Sequence, residues 1–219
     1  MRTVKPRSGV SPICVHRVMM LAKKRNTLAS SILVLNMFML GSAQSDEIWG
    51  SGRFSFSDEL GGFSITGVSG TGTRRDPYYI RQVFHTAESG TMTIRTHQME
   101  NVARLPNNNV THSAIHVQIE TVNGSNLPWI GLGYELQETL NSASTYGDGL
   151  SFDQLARETL DKSSDRFSTF EAQYEPGDRL VYTGGVVDSG ATVTTRFVIT
   201  DFTPVDKYYL FQDPLIPAS

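Results

Sequence analysis

Cysteine is almost absent from this chain. The one cysteine, Cys14, lies in the first 43 residues, a segment whose charges are all of one sign: Arg2, Lys5, Arg7, Arg17, Lys23, Lys24 and Arg25 precede Asp46, the first acidic residue. A domain that begins after this segment has no disulfide, no thiol nucleophile and no cysteine-based metal site, so packing alone must hold it. Basic residues are the second scarcity. Beyond position 43 there remain 12 of the 19 Lys and Arg against all 22 Asp and Glu, a net charge of −10 with His neutral. That balance argues against nucleic acid or anionic lipid as a partner, because both recognise a basic footprint. A long apolar run is missing too. The strongly apolar stretch at 32–40 is too short to cross ~30 Å of hydrocarbon comfortably.

What the first segment does have is the layout of a secretory signal. The basic cluster Lys23-Lys24-Arg25 is followed by LASSILVLNMFMLGSA at 28–43, which ends with Gly41 and Ala43 at the −3 and −1 positions of a signal peptidase site. Cleavage after Ala43 is expected. Gln44 follows, where a lipoprotein would need cysteine, so no lipid anchor is expected. Met20 is a second start of interest, because a chain beginning there would carry a signal of conventional length. The remaining residues, 44–219, suit one domain. Once the signal is removed, no stable membrane insertion is expected.

Period-two alternation dominates that domain. At 114–122, Ile115, Val117, Ile119 and Thr121 share one face, and His116, Gln118 and Glu120 share the other. At 193–199, Val193, Thr195, Phe197 and Ile199 alternate with Thr194, Arg196 and Val198. Shorter candidates are 53–57, 63–68, 78–85, 91–96, 129–136, 167–174, 179–183 and 208–212, separated by Gly-, Asn- and Asp-rich turns. Nine or ten short strands predict an all-β fold, an antiparallel β-sandwich of immunoglobulin-like or jelly-roll-like kind. One segment departs from this pattern. Phe152, Leu155, Ala156 and Leu160 fall near one helical stripe behind Ser151 as an N-cap, which predicts a short helix over 151–160. The expected core is Phe54, Phe63, Ile65, Ile80, Ile94, Ile115, Val117, Ile119, Trp129, Leu136, Phe152, Leu155, Phe170, Leu180, Phe197 and Ile199.

Catalytic chemistry is hard to place. His112 and His116 have the spacing of a helical metal pair, but on a strand four residues span roughly 13 Å, which suits two solvent-facing histidines. His85 and His97 stand at the ends of separate strands. No Gly-x-Ser-x-Gly elbow is present, and Ser69-Gly70-Thr71-Gly72-Thr73 lacks the Gly-Lys-Ser/Thr ending of a phosphate loop. Glu120 and Glu135, on consecutive predicted strands, are the pair to consider for glycoside hydrolysis. Trp129, Tyr134, Tyr78 and Tyr79 could form a sugar platform, although aromatic rings in strands usually belong to the core. Acidic residues beside turns, namely Asp76, Asp148, Asp153, Asp178, Asp188, Asp201 and Asp206, are explained by the turn-forming chemistry of aspartate. Calcium at Asp148 and Asp153, in YGDGLSFDQ, is the one metal site the sequence suggests, since loop oxygens suit that ion.

LPWIGLGYELQE, YGDGLSFDQ and DRLVYTGGVVDSGATVTTRFVITDF, with LFQDP at the end, are similar to a pattern in uncharacterised exported bacterial β-sandwich proteins. Many of these carry a Pro-Glu-Pro (PEP-CTERM) sorting tail. This chain stops at Ile216-Pro217-Ala218-Ser219 without that tail. The resemblance spans about 128–213 and implies a fold and export to the periplasm, the cell surface or the medium; it implies no catalytic residues. Separately, GTGTRRDPYYI resembles the entry phrase of some parallel β-helix proteins, and without their repeat it reads as a turn leading into a strand. The function expected is a non-catalytic binding or scaffolding module for a protein or glycan ligand. The alternative is a calcium-dependent carbohydrate-binding protein or a glycan hydrolase.

Overall fold

The computed structural model describes residues 48–97, 113–152, 162–174 and 176–218. Among them are thirteen strands and no helix: β1 (Ile48–Ser51), β2 (Phe54–Ser57), β3 (Phe63–Ser69), β4 (Tyr78–Phe84), β5 (Gly90–Thr96), β6 (Ser113–Asn123), β7 (Trp129–Gln137), β8 (Leu150–Ser151), β9 (Ser163–Ser164), β10 (Thr169–Gln173), β11 (Arg179–Val187), β12 (Thr192–Asp201) and β13 (Lys207–Leu215). Seven form one sheet in the order β1-β2-β5-β13-β7-β11-β10. Six form the other, β3-β4-β6-β12-β8, with β9 also on β12. The architecture is an all-β sandwich. Every pairing is antiparallel except β4 with β6, which is parallel. The parallel pair follows from the route of the chain: after β4 it crosses to the seven-stranded sheet to make β5 and returns for β6.

All ten strands expected from alternation are present. The extra three, β1, β8 and β9, have four, two and two residues, too few for a period-two pattern to show. The helix expected over 151–160 lies outside the described residues from 153 onward. Of its first two positions, Ser151 is paired with Thr200 in a strand and Phe152 is buried in the core. Leu155 is also outside the described residues. Phe170 is only partly buried, because β10 is the edge of its sheet, and the other expected core residues are buried. Gly184-Gly185 is not a turn. It sits inside β11, where the register with β7 shifts between Thr183 and Val187, and a Cβ on Gly185 would meet the Arg166 carbonyl.

Aromatic pairs close the space between the sheets. Phe84 of β4 meets Trp129 of β7 edge-on at 5.7 Å, Tyr134 of β7 meets Phe197 of β12 at 4.9 Å, and Phe56 of β2 meets Tyr78 of β4 at 5.1 Å. Each such pair adds about 0.5–1.5 kcal/mol to the burial of its rings. Within this apolar layer runs a polar thread. Gln82 alternates in phase with Tyr78, Ile80 and Phe84, so it points inward from β4, and Gln212 points inward from β13 in phase with Tyr208 and Leu210. Gln82 Nε2 donates to Gln212 Oε1 at 2.7 Å and to Thr121 Oγ1 at 2.9 Å, while Gln212 Nε2 donates back to Gln82 Oε1 at 3.2 Å. A second bridge joins the Tyr134 hydroxyl to Thr195 Oγ1 at 2.7 Å, and Tyr134 also lies within reach of Thr121. Burial drives the Tyr134 hydroxyl far above the ordinary phenol range, so it stays protonated and able to donate.

Buried amides that satisfy each other contribute modestly, but an orphaned one costs about 1–3 kcal/mol. Gln82→Met leaves Gln212 and Thr121 facing an apolar side chain, so chemical denaturation should show a loss of about 1–3 kcal/mol. Gln82→Met combined with Gln212→Met should cost less than the sum of the two single changes, with a coupling of about 0.5–3 kcal/mol. Strict additivity would mean that the two amides do not interact.

Candidate functional site

The outer face of the six-stranded sheet presents the side chains left over by the inward alternation. Pairing sets them in rows: Arg196 of β12 opposes Gln118 of β6, which stands beside Tyr79 of β4; Thr194 opposes Glu120, which stands beside Arg81. Arg196 is held from behind, because the buried Tyr182 hydroxyl donates to its backbone carbonyl at 2.5 Å. Over one end of these rows lies the loop between β3 and β4. Its glycines allow a tight path: Gly70 and Gly72 have φ of +89° and +78°, and a Cβ on either would strike Pro77 or the Tyr78 ring. Asp76 ties the loop to itself. Its carbonyl accepts from the N–H groups of Thr71 and Thr73, and its carboxylate accepts from the Thr71 hydroxyl at 2.8 Å. The Gly72 carbonyl accepts from the His116 N–H at 2.9 Å, which docks the loop onto β6. Arg74 and Arg75 are thereby carried at the tip of a braced loop.

Between that tip and β12 lies an open groove of about 390 Å³, lined among the described residues by Arg74, Arg75, Pro77, His116, Gln118 and Arg196, with the backbone edges of Val117 and Phe197. It runs on into a second hollow of about 340 Å³, where Gln118 and Arg196 recur beside Ser163, Ser164, Asp165 and Thr194. Three of the domain's twelve basic side chains therefore gather around one hollow in an otherwise acidic domain.

The residues singled out by sequence scatter. Glu120 and Glu135 do not face each other: β6 and β7 follow one another in the chain but belong to different sheets, and both carboxylates point away from the shared core. Glu120 accepts from the Tyr79 hydroxyl at 2.5 Å, and Glu135 from Gln137 Nε2 at 2.8 Å. Trp129, Tyr134 and Tyr78 are core residues and offer no platform; Tyr79 alone of the four reaches the outer face. His116 lines the groove and His112 lies outside the described residues. His85 and His97 bond Ser64 and Ser55 at 3.2 and 2.7 Å.

Asp148 shapes its own loop. Its carboxylate accepts from the Ser144 hydroxyl at 2.7 Å, the Thr145 N–H at 2.8 Å and the Leu150 N–H at 3.1 Å, and its carbonyl accepts from the Thr203 hydroxyl. Asp153 lies outside the described residues. Among the described residues no group of three or more His, Asp or Glu converges as a metal site. The groove was not anticipated from sequence. Its signal was the Arg74-Arg75 pair inside a Gly- and Thr-rich turn, but the partner arginine is 121 positions further along.

Comparison of the chain with protein-family models, with curated proteins and with solved structures finds no match.

Near Asp148 the buried Asp201 caps the following turn, its carboxylate accepting from the N–H groups of Thr203 at 2.9 Å and Val205 at 3.3 Å. Burial nonetheless raises its pKa above the ordinary carboxylate value, aided by repulsion from Glu138 and Asp148 and opposed by those two bonds. A folded-state pKa above the unfolded one favours the fold below about pH 4, and that contribution fades as pH rises through the raised value. Asp201→Asn removes the charge and keeps an acceptor. Its stability relative to the unmodified protein should therefore rise between pH 4 and pH 7 in denaturation measurements. A difference independent of pH would contradict this.

Proposed function

We propose that the chain is an exported, non-catalytic binding module that takes its ligand on the outer face of the six-stranded sheet. The observation that carries this reading is the braced groove between the Arg74-Arg75 loop and Arg196. A cradle held by Asp76, by the Gly72–His116 contact and by Tyr182 behind Arg196 needs little reordering when a ligand enters, and less reordering favours affinity. The leader at 28–43 and the step from basic to acidic composition support export. Catalysis needs a nucleophile, a base and an electrostatic partner brought together. In support of a non-catalytic role, several carboxylates here already serve the fold: Asp76, Asp148 and Asp201 brace loops, Glu59 accepts from Arg95 at 2.6 Å, and Glu120 accepts from Tyr79.

Two measurements test the reading. The exported protein should begin at Gln44 by N-terminal sequencing, and a mature product that keeps residues 28–43 would refute export by cleavage. Thermal melts against glycan and peptide panels should find a ligand that raises stability equally in calcium and in EDTA, without release of a product. A ligand specific to the folded state adds ~2.7 kcal/mol at one hundred times its Kd. A shift that requires calcium and disappears when Asp148 and Asp153 are changed to Asn would favour the calcium-dependent sugar binder instead. Product release would favour the hydrolase.

A further inference from the structure

The two hollows of the groove differ in chemistry. One is cationic, lined by Arg74 and Arg75 of the β3–β4 loop and by Arg196 of β12, with His116 of β6. The other is lined by hydroxyls and one carboxylate, from Ser163, Ser164, Thr194 and Asp165. Gln118 and Arg196 belong to both, so a single ligand can lie across them. We infer that this ligand is an acidic oligosaccharide, with a carboxylate or sulfate held between Arg75 and Arg196 and neighbouring sugar hydroxyls met by Gln118, Ser163, Thr194 and Asp165. The inference rests on the binding-module reading and adds the ligand class to it.

Three considerations select that class. Guanidinium groups present planar forks that match carboxylate and sulfate oxygens in pairs. A floor of amide, hydroxyl and carboxylate groups both donates to and accepts from sugar hydroxyls. An extended peptide would call for apolar pockets for alternate side chains. Here Val117 and Phe197 turn their side chains into the core, leaving Pro77 as the apolar wall among the described residues. The net charge of −10 beyond position 43 further disfavours a densely charged polyanion such as nucleic acid. A saccharide with spaced anionic groups meets the local arginines without confronting the whole field.

Calorimetry on the exported protein tests this with four probes: a hexamer of galacturonate, a chondroitin sulfate hexasaccharide, neutral cellohexaose and hexaglutamate. At least one acidic saccharide should bind, with cellohexaose and hexaglutamate at least tenfold weaker. Arg196→Gln and Arg75→Gln should each weaken that binding tenfold or more while leaving the melting temperature unchanged. Arg75 is at a loop tip, so its variant remains informative if Arg196→Gln perturbs folding. The preferred hexasaccharide distinguishes carboxylate from sulfate as the anion. Failure of both acidic saccharides to bind, or binding by both variants as tight as that of the unmodified protein, would overturn the inference. Tighter binding of cellohexaose or hexaglutamate that is lost on Arg196→Gln would also overturn it, while leaving the groove as the binding site.

Discussion

The reciprocal amide contact between Gln82 and Gln212 is the constraint from which the rest of this structure can be derived. No cysteine lies beyond Cys14, so the two sheets meet without a covalent tie. Hydrophobic burial drives them together but is non-directional, and by itself tolerates more than one offset between apolar faces. Two buried glutamines behave differently. They satisfy each other only when β4 and β13 meet at one height, where three donor–acceptor contacts of 2.7–3.2 Å join Gln82, Gln212 and Thr121. The Tyr134–Thr195 contact repeats the condition further along the sandwich. Any slide of one sheet over the other strands several polar groups in an apolar layer, each at a cost of about 1–3 kcal/mol.

The same strands carry the groove on their other side. Once Gln82 points inward, period two sends Tyr79 and Arg81 outward; once Thr121 and Thr195 point inward, Gln118, Glu120, Thr194 and Arg196 point outward. Internal satisfaction and external presentation are thus set by one register. The β3–β4 loop completes the arrangement because Gly70 and Gly72 admit backbone angles that bring Arg74 and Arg75 over β6. Charge is concentrated as a consequence of folding. In sequence Arg196 is remote from the Arg74-Arg75 pair, and the domain as a whole is acidic.

Strand positions were legible because alternation is a local property. The stretches around Ile115–Thr121 and Val193–Ile199 declare their inward faces without knowledge of their partners, and those faces are buried as expected. Sheet membership was not legible. From β4 through β7 the chain changes sheet at every strand, so neighbours in sequence become opposite layers of the sandwich. That is why Glu120 and Glu135, plausible as a facing pair on consecutive strands, end on opposite outer surfaces. The tyrosines misled for a related reason. Tyr78 and Tyr134 look amphipathic in sequence, yet the structure buries them, and Tyr134 finds Thr195 as a partner across the core. The groove depends on two segments 121 residues apart, a separation that no local pattern encodes.

The most direct test of the account is nuclear magnetic resonance of the glutamine side-chain amides. If Gln82 and Gln212 pair across the sheets, their NH2 protons should have dispersed shifts and slow solvent exchange. Cross-peaks should connect each NH2 to the opposite glutamine, and that of Gln82 also to Thr121. Degenerate shifts, rapid exchange and no contact between the two side chains would show that the sheets are not keyed in this way, and the derivation of the outer groove from the inner register would fall with it.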